Sequence, residues 1–92
     1  MENQELTAQL LFKLYRRGIW GARHTPLKNL LHLAGEDVMK DSRKIVKELE
    51  KSDFILIKKS TGEDHISLNS HKKGEIRDFI LSVLKINPEM LK

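Results

Sequence analysis

Residues 54–69 read Phe54-Ile-Leu-Ile-Lys-Lys-Ser-Thr-Gly-Glu-Asp-His-Ile-Ser-Leu-Asn69. The first four are β-branched, aromatic or aliphatic, Ser60 to Asp64 is turn chemistry, and His65 to Asn69 alternates apolar with polar. That order predicts a β-hairpin with strands at about 54–59 and 65–69 and Gly62 near its tip. On both sides of it the apolar period is helical instead.

Immediately upstream, Val38, Ile45, Val46 and Leu49 form one stripe of a helix over about 37–51, with Asp37 as its cap or first-turn acid. Before that, Thr25-Pro26 is suited to open a helix, threonine capping it and proline taking its first position. Leu27, Leu30 and Leu31 supply the buried stripe and Gly35 the stop, giving a helix over about 26–34. The chain begins with a wide apolar arc, Leu6, Leu10 and Leu14 with Ala8, Leu11 and Tyr15. It ends in Arg16, Arg17 and Gly18, so a helix is expected over about 4–17. Downstream of the hairpin, Ile76, Phe79, Ile80, Val83 and Leu84 mark a last helix over about 71–85. Asn69 or Ser70 caps it and Asn87-Pro88 stops it. No repeat or linker interrupts the series. The expectation is one α+β domain over residues 1–92, three helices, a hairpin and a closing helix.

Composition narrows what such a domain can do. Ninety-two residues make one small core, little more than a binding module needs. Apolar residues at 39% and charged residues at 33% are a globular balance. With no cysteine, disulfides, thiolate zinc sites and thiol nucleophiles are all ruled out, and a reducing compartment is compatible. No apolar run reaches the roughly 20 residues of a membrane span, and Met1-Glu-Asn-Gln-Glu5 lacks the pattern of a signal peptide. A cytoplasmic protein without membrane association is therefore expected. Seventeen basic against 13 acidic residues give a net charge of +4, so any case for an anionic partner rests on where the cations lie.

The element order is similar to that of a winged helix-turn-helix domain, with Ile19-Trp20 placed where such domains often have a first short strand. The runs Gly21-Ala-Arg-His-Thr-Pro26, Lys44-Ile-Val-Lys-Glu-Leu49 and Ile57-Lys-Lys-Ser-Thr-Gly62 resemble a family of small, mostly uncharacterised archaeal winged-helix proteins. The resemblance implies that the third helix enters the DNA major groove and that the hairpin is a wing on the backbone.

The third helix itself carries a row of cations. At about 100° per residue, Lys40, Lys44, Lys47 and Lys51 fall within an arc of roughly 60°, with Arg43 beside it and the apolar stripe opposite. Such a row suits phosphates. It is also where any amphipathic helix puts its lysines, and Asp37, Asp41 and Glu48 on one flank, with Lys44 and Glu48 at i, i+4, fit an ordinary salt-bridged surface. The place of the row in a winged-helix order favours the first reading. One arginine and no asparagine or glutamine on that helix favour affinity over base-specific readout.

Further candidates flank the row. Arg23 and Thr25 precede the second helix, whose first amides are open to an anion; alternatively Thr25 only caps and His24 packs on Trp20. Lys58 and Lys59 lie in the wing, beside Glu63 and Asp64, and as neighbours in a strand they face opposite ways. Lys72 and Lys73 open the last helix against its dipole. Histidines 24, 32, 65 and 71 show no metal-ligand spacing, so no metal and no cofactor is expected, and no group of side chains has the arrangement of a catalytic site. Leu11, Leu81, Met90 and Leu91 fall outside the main stripes, which points to a homodimer through the terminal helices.

These readings converge on a double-stranded DNA-binding protein, a small transcriptional regulator or chromatin-associated protein. Its contacts would be Lys40, Arg43, Lys44, Lys47, Lys51, Arg23, Thr25, Lys58 and Lys59. The alternative is a winged-helix protein–protein interaction module in a transcription or ribosome-associated assembly; structured RNA ranks below both.

Overall fold

In the computed structural model, which describes residues 2–60 and 62–91, the apolar periods become four α-helices and a three-stranded antiparallel sheet. In chain order these are α1 (Glu2–Arg16), β1 (Thr25–Pro26), α2 (Leu27–Ala34), α3 (Met39–Lys51), β2 (Ile55–Ser60), β3 (Glu63–Leu68) and α4 (Lys73–Leu84). Short 3₁₀ turns at Glu36–Val38, Ser70–Lys72 and Pro88–Leu91 complete the path. The fold is α+β, as the change of period predicts.

The hairpin forms three residues tighter than its turn chemistry implies. Ser60 pairs with Glu63, and Gly62 takes φ 86°, a left-handed conformation that glycine adopts without steric cost. Glu63 and Asp64, expected in the turn, therefore belong to β3 and carry its charge at the hairpin's end. β3 is the central strand, with β2 on one side and β1 on the other. Its central place explains why Ile66, Ser67 and Leu68 are all buried where alternation predicts one exposed residue.

The third strand lies at Thr25–Pro26 and not at Ile19–Trp20. Thr25 pairs with Ile66 and Pro26 with His65, whereas Trp20 makes only an isolated bridge to Leu68. Gly18 and Gly21, at φ 68° and 57°, bend the chain on either side of Ile19-Trp20 and leave no room for a longer ladder. One consequence is that Thr25 does not cap α2. It is spent on the sheet, Pro26 occupies the cap position at φ −59° and ψ 138°, and the helix starts at Leu27. Similarly, Glu36–Val38 is a 3₁₀ turn ahead of α3, and Asp37 lies in it.

Asn69 is the brace at the far end of the sheet. Its side-chain oxygen accepts from the His71 amide at 3.0 Å, capping the turn before α4, and its side-chain nitrogen donates to the Asp53 carbonyl at 2.8 Å. The core is made of Leu10, Leu11 and Leu14 of α1, Ile45, Val46 and Leu49 of α3, Ile55, Ile66 and Leu68 of the sheet, and Ile76 and Ile80 of α4. Each such side chain contributes about 1.5–3 kcal/mol by leaving water. The turn after α4 adds Leu91, which is 2% exposed. Leu11 and Leu91 are thus core residues, because α4 and the terminal turn cover the wide arc of α1. Two of the four residues from which a dimer surface is expected are spent inside the monomer. The exposed large apolar side chains, Leu33, Leu56 and Met90, lie on three different elements.

Candidate nucleic-acid interface

α3 is divided sharply between core and solvent. Ser42, Ile45, Val46 and Leu49 are buried, at the spacing that keeps one helical face inward. Lys40, Arg43, Lys44, Lys47 and Lys51 are all exposed. Among the described residues none of the five takes part in an ion pair; the four pairs that form join other residues. The Lys44–Glu48 pair open to the i, i+4 spacing is not made. Five ammonium and guanidinium groups therefore stand in water, with no carboxylate to displace before they meet an anion.

The hairpin stands beside this helix. A depression of about 500 Å³ separates α2 from the hairpin end, bordered by Leu27, Lys28, Arg43, Glu63 and Asp64. A second, of about 260 Å³, runs between α3 and the sheet, bordered by Arg43, Lys47, Glu50, Ile57, Lys59 and Asp64. Arg43 borders both. The tertiary structure thus brings Arg43, Lys47 and Lys59 into one groove, where Glu50 and Asp64 dilute their charge. Lys59 is 3.8 Å from Asp64, a loose pair with an exposed cation. Lys58 faces the other way, in register with His65. The two hairpin lysines are therefore not one patch.

Arg23 and Thr25, the two candidates ahead of α2, are placed differently from each other. Thr25 is half-buried in the sheet. Arg23 is exposed, and its guanidinium lies over Gly18, 3.7 Å from where a β-carbon there would stand. That position is just past the C-terminal end of α1, where a cation complements the helix dipole.

His24 packs on His65 and not on Trp20. The two rings meet edge to face with centroids 4.7 Å apart, and their Nδ1 atoms are 2.9 Å from each other. His65 Nε2 lies 3.3 Å from Glu63 Oε1, and Glu63 Oε2 lies 3.3 Å from Lys28 Nζ. A polar chain thus runs from the loop before β1, across the hairpin, to α2. Nothing in the spacing of residues 41 apart announces it; only the pairing of Pro26 with His65 in the sheet brings the loop there. Trp20 instead meets Tyr15 edge to face at 5.2 Å, and Lys73 Nζ sits 5.5 Å from its ring centroid. Lys72 pairs with Glu75 at 3.7 Å. The two lysines that oppose the dipole of α4 are each engaged locally.

The chain matches no protein-family profile, no curated protein and no solved structure. Among the described residues no helix is long and apolar enough to cross a membrane, and no group of three or more histidines and carboxylates is placed around a common metal position.

Proposed function

We propose that the chain is a winged-helix domain that binds double-stranded DNA, as a small transcriptional regulator or chromatin-associated protein. α3 would enter the major groove and the β2–β3 hairpin would lie along the backbone as the wing. The observation that carries this reading is the outer face of α3: five exposed cations without an ion pair, opposite a face buried to the last residue. Lys40, Lys44, Lys47 and Lys51 reach phosphates in this arrangement, and Arg43, at the mouth of the groove between α3 and the wing, is the side chain suited to a bidentate base contact. Lysine dominates the face, so the reading is one of tight, salt-sensitive and weakly sequence-selective binding.

Fluorescence anisotropy with a labelled duplex at two salt concentrations tests it. Binding at low salt that weakens steeply at the higher concentration is expected. Micromolar duplex giving no signal at low salt refutes the proposal.

A second reading, a module for protein–protein contact, has its own observation. Lys13, Arg16 and Arg17 border a depression of about 330 Å³ together with Leu33, which is 40% exposed. Cations around an uncovered leucine suit an acidic, partly apolar protein segment better than a nucleic-acid backbone.

A further inference from the structure

The contact between His24 and His65 is unusual in its atoms. Two ring nitrogens of the same kind, Nδ1 and Nδ1, converge to 2.9 Å. The Glu63 carboxylate lies 3.3 Å from Nε2 of His65, and a negative charge on that side favours the neutral ring's hydrogen on Nε2. Nδ1 of His65 is then a lone pair directed at His24. With nothing between the rings, His24 donates its own Nδ1 hydrogen into that lone pair. If the His24 hydrogen moves to Nε2, which solvent can accomplish on an exposed ring, both Nδ1 atoms offer lone pairs to one point.

We propose that His24 and His65 are the two protein ligands of a site for a late first-row divalent ion, Ni²⁺, Cu²⁺ or Zn²⁺, with water in the remaining positions. Imidazole nitrogens are ligands common to all three. Two neighbouring nitrogens at bond lengths of about 2.0 Å stand about 2.8 Å apart in a tetragonal site and about 3.3 Å apart in a tetrahedral one. The observed 2.9 Å lies near the first, so the separation suits Ni²⁺ and Cu²⁺ once the rings turn to aim both lone pairs at the ion, and Zn²⁺ requires them also to part by about 0.4 Å. Glu63 behind His65 is the carboxylate partner that orients a ligating ring and favours its tautomer, and Lys28 holds Glu63 in turn. The pair lies at the surface, with His24 exposed on its loop, so the ion has an open path. Once bound, it ties the loop before β1 to the central strand of the wing. This site is independent of the proposed DNA contacts, none of which it uses.

Calorimetric titration of the whole chain with Ni²⁺ tests the proposal, beside variants shown by circular dichroism to be folded. One equivalent of ion is expected to bind. His24→Ala and His65→Ala each weaken it at least tenfold, and Glu63→Ala weakens it about 10- to 100-fold. His32→Ala and His71→Ala leave it unchanged. With Cu²⁺, electron paramagnetic resonance should show coupling to two imidazole nitrogens, falling to one in either single variant. Should a variant fail to fold, ¹⁵N imidazole spectra of the wild type decide: Ni²⁺ broadening confined to His24 and His65 supports the site, and broadening spread equally over all four histidines overturns it. No heat on titration, or binding that survives both substitutions, also overturns it.

Discussion

Replacing Lys44 and Lys47 together by alanine isolates the contribution of α3 to the proposed DNA binding. Both side chains are exposed, and neither belongs to an ion pair among the described residues. The double variant should therefore keep its stability within about 0.5 kcal/mol, and alanine suits the helix interior. If each ammonium neutralises one phosphate, the plot of log affinity against log salt should flatten by about 0.9 per contact, or about 1.8 for the pair. Over a fourfold rise in salt, that difference amounts to a factor of about 12, by which the wild type loses more affinity than the variant. Anisotropy titrations at three or four salt concentrations resolve it. The comparison variant is Lys13→Ala with Arg17→Ala, which removes the same net charge from the depression at the end of α1. It should leave the slope almost unchanged, because distant charge steers approach and does not release counterions at the contact. Equal flattening in both variants, or none in the α3 pair while the wild type binds, would refute the assignment of α3 as the contact surface.

Three further outcomes concern the frame that carries this surface. Ser42 is fully buried on α3 and its hydroxyl has no hydrogen-bond partner; Ser42→Ala should stabilise by about 1–2 kcal/mol, through the removed desolvation penalty and better helix propensity. For a domain of this size that raises the melting temperature by about 4–8 °C per kcal/mol, and a fall would show that the hydroxyl is bonded in solution. Asn69→Ala removes both the cap on the His71 amide and the bond to Asp53, and should cost about 1–2 kcal/mol in urea unfolding. Leu11→Ala should cost about 2–5 kcal/mol, independent of protein concentration, because Leu11 is 0% exposed within one chain; a concentration-dependent loss would return it to an interface.

Much of this molecule is legible in its residue order, because the signals concerned are local. Leu6, Leu10 and Leu14 repeat at helical spacing within α1, and the change of period after Asp53 announces the hairpin. The cation row of α3 follows from the same arithmetic, since a helix that buries Ile45, Val46 and Leu49 must turn Lys40, Lys44, Lys47 and Lys51 outward. Even the inward placement of Ser42 can be read from its angle on that helix.

The tertiary structure decided what depends on partners distant along the chain. A strand of two residues has no period to detect, so Thr25-Pro26 reads as a helix start until Ile66 and His65 are found opposite it. Leu11 looks surplus on the wide arc of α1 until α4 and Leu91 close over it. Strand alternation separates Lys58 from Lys59, but only the packing of the sheet on α3 shows that Lys59 shares a groove with Arg43 and Lys47. The meeting of His24 with His65 is set by the register of β1 on β3. Register is a choice among non-local pairings, settled by which side chains the whole core can bury, and no window of the chain contains that information.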